Sequence, residues 1–433
     1  MTVEALEISI NLVWVMLGAF LVFFMHTGFA MVEAGFTRSK NAINILMKNF
    51  LTISLGGIVY FVAGYAIMFG DTGGGFIGTS GFALQGVDDI AFFVFQAMFV
   101  ATCATIISGA VAERTNIMAY LALVVAMTLF IYPVVGHWIW QGDGWLTALG
   151  FTDFAGSTVV HLTGAVAALV TAVMVGPRLG KYTNGVVNVI PGHSIPLGAL
   201  GVFILWLGWF GFNGASTLAA DPASVPGVIA NTFLAASAGV VGTAFYTKLR
   251  YGYMDGSLTL NGALAGLVSI TAGAANLSIV GALVAGFISS FVLVEGVRFI
   301  EHKLKADDPV GAVTVHGIVG IWGTLAVGLL DTAGGGLLYG GGAELLGVQA
   351  IGVLAVIVWT AATTAISLSI IKIFIPLRVT KEEEIEGLDI AEHGASAYEY
   401  QQDVFKGLNS RNDTFAQRLT TLGTNKSHAV QEK

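Results

Sequence analysis

Apolar runs of about 20 residues, the length a helix needs to cross a bilayer core, recur along this chain as far as residue 376. Eleven can be marked, at about 9–34, 42–70, 89–111, 116–140, 155–176, 195–215, 227–249, 257–274, 279–300, 310–330 and 345–376, the eighth being the shortest. Backbone polar groups in hydrocarbon must be satisfied within their own segment, so each run is expected to be a helix. Composition closes off the water-soluble alternative. Of 433 residues, 55% are hydrophobic and 11% charged, against about a quarter charged in a soluble domain. The expected fold is an all-α polytopic membrane protein. Its 57 glycines suit helices packed closely in lipid, and Gly262 and Gly266, four apart, mark one candidate contact. The first run lacks a positively charged flank and reads as a retained span rather than a signal peptide.

Lys and Arg set the direction of threading, because cytoplasmic connections collect them. With the N-terminus outside, the inner connections hold Arg38 and Lys40, Arg114, Arg178 and Lys181, Lys248 and Arg250, then Arg298, Lys303 and Lys305. Lys48 and Lys372 lie near inner ends and are expected to snorkel to the surface. With seven more in the tail these make up all 19 basic residues, whereas the outer connections carry only acids such as Asp71, Asp88, Asp143, Asp153, Asp221 and Asp331. An error of one span would scramble the pattern. The expectation is eleven transmembrane helices, N-terminus outside and C-terminus cytoplasmic. Residues 1–377 then form the membrane domain and 378–433 a cytoplasmic tail with seven basic and ten acidic residues. Asn409–Lys433 is polar enough to stay unfolded.

A duplication is written into two of the runs. Asp153-Phe-Ala-Gly156-Ser-Thr-Val-Val160-His161 and Asp308-Pro-Val-Gly311-Ala-Val-Thr-Val315-His316 match in Asp, Gly, Val and His at identical spacing. The first Asp falls on the outer side and the second on the inner side. That is the pattern of an inverted five-plus-five repeat, with about 9–176 as one half and about 195–330 as the other, and with a site expected near the midplane. At about 1.5 Å per helical residue each histidine lies roughly 12 Å in from its own side, so the two imidazoles should meet. Ionisable groups inside spans are costly and usually functional. His161 and His316 are therefore read as pore-lining, and His26 and His137, near span ends, as structural.

Several functions drop out. Cys103 is the sole cysteine, no carboxylate shares the depth of the paired histidines, and neither metal nor cofactor is called for. A net charge of −8 offers no patch for nucleic acid. No Gly-x-x-x-x-Gly-Lys-[Ser/Thr], His-Glu-x-x-His or Gly-x-Ser-x-Gly run occurs, which argues against an ATP-driven pump or any other enzyme.

The segment Asp153–His161 resembles the signature of the ammonium transporter (Amt/Mep/Rh) family. Similar stretches follow in order: Glu33-Ala-Gly-Phe-Thr-Arg-Ser-Lys-Asn41, Ala112-Glu-Arg114, Gly208-Trp-Phe-Gly-Phe-Asn213, Asp307–His316 and Glu386-Gly-Leu-Asp-Ile-Ala-Glu-His393. The resemblance, of the prokaryotic Amt type, implies a homotrimer in the cell membrane, surrounded by lipid, with one ammonium pore per subunit. It implies an outer recruitment site at Trp140, Phe99, Phe212 and Ser216, twin pore histidines at His161 and His316, and an essential acid at Asp153 beside the recruitment site. It also implies that the tail docks on the cytoplasmic face, where a PII-type signalling protein binds. Docking would set Glu382–Glu384, Glu386 and Asp389 against Arg178, Lys181, Lys248 and Arg250. Departures are one extra residue between Trp140 and Asp153, and His26 in place of a glutamine or apolar residue. A Rh-like gas channel would be expected to lack Trp140. An ammonium sensor signalling through the tail is the other alternative.

Overall fold

The computed structural model describes residues 2–398, and the expectation for Asn409–Lys433 lies outside them. Among the described residues ten helices are long and apolar enough to cross a membrane: α1 (Val3–Phe36), α2 (Ser39–Phe69), α3 (Ile90–Ala110), α4 (Ile117–Ala148), α5 (Ser157–Val175), α6 (Ile195–Thr217), α7 (Val225–Tyr251), α9 (Ile279–Leu304), α10 (Val313–Leu330) and α11 (Glu344–Phe374). Between α7 and α9 lies a shorter apolar helix, α8 (Gly256–Thr271), of 16 residues. The eighth run ends early because the connection before α5 closes over it. Phe154 and Ala155 donate their N–H groups to the carbonyls of Ala272 and Thr271, at 3.0 and 3.1 Å. Ser157 Oγ donates to the Val268 carbonyl and accepts from the Ala272 N–H, both at 2.7 Å.

The bundle is apolar on its outside. Phe50, Phe203, Phe245 and Phe374 stand exposed while Thr52, Thr105, Asn213 and Thr243 are buried, an arrangement that suits lipid as the surrounding solvent. Glycines set the tightest contacts. A Cβ on Gly262 would lie 2.7 Å from the Gly239 carbonyl oxygen, and one on Gly266 would lie 2.3 Å from that of Ala235. So α7 and α8 meet backbone to backbone.

Two placements differ from expectation. Lys48 does not snorkel: it is buried, donates to the Ser108 carbonyl at 2.9 Å and lies over the Tyr120 ring at 5.5 Å. A carbonyl and an aromatic face replace water where α2 packs on α3 and α4. Lys372 does stay exposed. The basic residues expected to hold the tail are committed elsewhere. Arg178 binds Asp307 (Nε–Oδ2 2.8 Å) and Glu113 (3.2 Å), and Glu113 also pairs with Arg38. Lys181 binds Glu301, Arg250 binds Glu295, and Lys248 donates to the Gly252 carbonyl. The tail helices α12 (Lys381–Glu386) and α13 (Leu388–His393) are held instead by the starts of α2 and α4 and by their own lead-in. Asn41 accepts from Leu388 N, Asp389 accepts from Asn44 N at 2.9 Å, Glu392 accepts from Ile117 N at 2.9 Å, and Arg378 pairs with Glu384 at 2.6 Å.

Burial pushes Asp307 up, but the hydrogen bonds and charge of Arg178 outweigh it and leave the carboxyl at about 2. The next residue behaves oppositely. Burial pushes Asp308 up to about 6 against the pull of the Val313 and Ala312 N–H groups.

Candidate functional site

The two histidines are placed by the same local device. Gly156 (φ 114°) and Gly311 (φ 78°) adopt the left-handed region that glycine tolerates at no steric cost. Each turn lets the aspartate three residues earlier cap the helix start. Asp153 Oδ1 accepts from Gly156 N, and its Oδ2 from Thr158 N and Val159 N, all at 2.9 Å. Asp308 Oδ1 accepts from Gly311 N at 3.1 Å and Oδ2 from Val313 N at 2.7 Å. Both helices then begin with a wide π turn, Ser157–Leu162 and Val313–Ile318, which carries the histidine. Such turns occur frequently at functional sites.

The imidazoles meet. Nδ1 of His316 lies 3.1 Å from Nδ1 of His161, with ring centroids 5.1 Å apart and an interplanar angle of 18°. Two Nδ1 atoms can bond only if one is protonated and the other is not, so the tautomers are linked. One outward Nε2 is then a donor and the other an acceptor. The Nε2 of His161 is buried with no protein partner among the described residues.

Rings continue the line in both directions. Phe212 lies 5.6 Å from His161 and stacks on Phe99 at 4.1 Å, and Phe99 meets Trp140 edge to face at 6.0 Å. Phe99 and Phe212 are fully buried. Trp140 is anchored by its indole N–H, which donates to the Asp153 carbonyl at 2.7 Å. Ser216, one turn after Phe212 on α6, spends its hydroxyl proton on the Phe212 carbonyl at 2.7 Å and keeps lone pairs to accept with. Asp153 lies beside this group with its carboxylate committed to backbone; burial raises its pKa, and those N–H bonds pull it back. The sequence-derived rings from Trp140 to His316 thus form one continuous line, with Ser216 joined to it through the Phe212 carbonyl. Asp153 supports it rather than standing in it.

Two residues of the line were not singled out by sequence. Trp209 lies 5.1 Å from His161 at 18° and donates its indole N–H to Thr271 Oγ1 at 2.9 Å. It precedes Phe212 by three positions, so helical periodicity places both on one face, and that signal was available. Phe29 lies 6.0 Å from His316, and nothing in the sequence separates it from the other phenylalanines. Beyond it, away from Trp140, a mostly apolar cavity is walled by Phe29, Val32, Glu33, Leu205, Val315 and His316.

Comparison with known proteins places the chain by sequence and by overall fold. Residues 13–398 match the Ammonium Transporter Family. The chain is 42% identical to ammonium transporter Amt2 of Archaeoglobus fulgidus over 90% of its own length and 89% of that protein. It is 37% identical to ammonium transporter 1 member 3 of Solanum lycopersicum, over 91% of the chain and 94% of the relative. Among solved structures, one described as "Sensor Amt Protein" superposes with a TM-score of 0.86 at 39% identity, covering 90% of this chain and 99% of that one. Candida albicans Mep2 superposes at 0.81 with 27% identity, over 87% of each chain.

Proposed function

This chain belongs to the ammonium transporter family, a multi-pass integral membrane protein of the cell membrane, and from that premise we propose a mechanism for how it moves ammonium. Eleven spans, with α8 as the eighth, thread in an inverted five-plus-five arrangement with the N-terminus outside and the C-terminus in the cytoplasm. The like folding of Asp153–His161 and Asp308–His316 supports this threading, and so does the one-sided distribution of Lys and Arg. Residues 1–377 are the membrane domain and 378–433 the regulatory tail.

Ammonium is captured outside at Trp140, Phe99, Phe212 and Ser216. A desolvated aromatic face contributes about 2 kcal/mol toward holding a cation, and the Ser216 lone pairs accept one of its N–H bonds. An intact cation at the bilayer centre would cost several kcal/mol, and the stacked phenylalanines leave no room for its hydration shell. The ion therefore gives up its proton to the acceptor Nε2 of the histidine pair, and ammonia passes His161 and His316. A proton taken up at one Nε2 shifts the proton between the Nδ1 atoms and releases another from the far Nε2, so the pair can relay. Potassium is similar in size but has no proton to lose, which gives selectivity. Three copies assemble as a homotrimer, and a PII-type protein acts on the tail face.

The observation that carries this reading is the Nδ1–Nδ1 contact of 3.1 Å within a sealed line of rings. Uptake of isotopically labelled ammonium by liposomes containing the purified protein tests it. Saturable uptake that excess potassium does not inhibit is the expected result, and its absence refutes transport. A second reading, an ammonium sensor signalling through residues 378–433, draws on the likeness to the structure described as a sensor. It predicts ammonium binding without uptake.

A further inference from the structure

The cavity beyond His316 has one ionisable residue on its wall besides the histidine. Glu33, on α1, is 2% exposed, and its two oxygens are treated differently. Oε2 accepts from Ser108 Oγ at 2.6 Å and from Asn49 Nδ2 at 3.2 Å. Asn49 is oriented for this by Thr105, whose hydroxyl donates to Asn49 Oδ1 at 2.8 Å. The ammonium group of Lys48 stops one residue short, on the Ser108 carbonyl at 2.9 Å. Oε1 has no hydrogen-bond partner among the described residues. Asn261, the other polar side chain of the wall, gives its amide N–H to the Val310 carbonyl at 3.0 Å. A carboxylate held rigidly by one oxygen thus keeps the other for something that is not part of the protein. The surrounding wall, with Ile106 and Leu205, is apolar. Such a setting favours a small cation that donates N–H bonds and sheds its hydration over a large hydrated one.

We infer that Glu33 is a second ammonium site, on the tail side of the histidine pair, where the carboxylate Oε1 accepts a hydrogen bond from the ion. This rests on the transport reading above. The site gives the pathway a binding step at each end: an aromatic one outside and a carboxylate one inside. The two would respond differently to mutation because only the inner one offers a carboxyl oxygen.

The test compares membrane vesicles of both orientations, with labelled ammonium presented either from the tail side or from the Trp140 side. Glu33→Gln keeps the side chain's size and its acceptor for Ser108 but removes the charge. It is expected to raise the half-saturating ammonium concentration tenfold or more from the tail side, with less than a twofold change from the other. A purely structural role would lower the amount of folded protein or change both sides alike, and either an equal change or none overturns the inference. If Glu33→Gln does not assemble, Glu33→Asp draws the charge back by one carbon, and an unchanged tail-side half-saturation overturns the inference in that variant too. Uptake absent from the unsubstituted protein in both orientations overturns the transport reading and this site with it. Uptake intact there but insensitive to Glu33 overturns this site alone.

Discussion

Replacing Asp153 by alanine separates a scaffold acid from an ion ligand. The carboxylate accepts three backbone N–H bonds at 2.9 Å, from Gly156, Thr158 and Val159, all buried. A buried donor left unpartnered costs about 1–3 kcal/mol. Removing the acid also removes an unfavourably buried charge, so the net loss sits near the low end, at about 3–5 kcal/mol. Asp308 caps the matching turn with two such bonds, and Asp308→Ala should lose correspondingly less, about 2–4 kcal/mol. Size-exclusion chromatography of heated, detergent-solubilised protein reads the difference. Asp153→Ala should lose its monodisperse peak about 5–10 °C below the unsubstituted protein, with Asp308→Ala between them. Flux should fall too, because the π turn bearing His161 starts at the residues Asp153 holds. An Asp153→Ala protein that expresses and melts normally but has lost ammonium affinity would refute the scaffold role and put the carboxylate in contact with the ion.

Other consequences can be checked by similar means. Trp140→Leu should raise the half-saturating ammonium concentration roughly fivefold to thirtyfold in liposomes, the equivalent of about 1–2 kcal/mol of cation–π contact, with little change in maximal rate; an unchanged value would remove Trp140 from capture. Asp307, held at about 2 in the folded state, has a depressed pKa, so its contribution of about 2 kcal/mol is present above about pH 4 and lost as pH falls toward 2. Asp307→Asn should lower thermal stability at neutral pH and flatten that acid limb, and a profile parallel to the unsubstituted protein's would count against the Arg178 pairing. Truncation from Gly387 removes the contacts of Leu388, Asp389 and Glu392 with Asn41, Asn44 and Ile117. It should reduce uptake without unfolding the membrane domain, whereas removal of Asn409–Lys433 should do little. Undiminished uptake from both would exclude the tail from the mechanism.

Much of this fold was legible because a bilayer-spanning helix and a capped glycine turn both leave simple traces in sequence. Runs of apolar residues mark the helices, and the spacing Asp-x-x-Gly with His five residues on marks two turns whose caps and glycine conformations leave few alternatives. The line of rings was legible only as far as residue identity was informative. His161 and His316 stand out as ionisable groups in an apolar field, and Phe99, Phe212 and Trp140 were picked out by resemblance. Phe29 could not be found, because one phenylalanine among 28 carries no mark of which side it faces. The basic residues misled at Lys48 and at the tail. Their partners depend on packing that spacing does not encode: Arg178 is taken by Glu113 and Asp307, from connections far apart in sequence, and is not left for a tail acid.

The central claim is that the paired imidazoles allow ammonia past while excluding an intact cation. Labelled-ammonium uptake and potassium flux, measured in the same liposomes for the unsubstituted protein, His161→Ala and His316→Ala, test it most directly. Removing either ring breaks the 3.1 Å contact and leaves space and an unpaired imidazole that water can occupy. Both variants should elute as folded assemblies and lose potassium-excluding ammonium transport, either by ceasing to conduct or by admitting potassium. Full ammonium uptake that still excludes potassium, in both variants, would contradict the account.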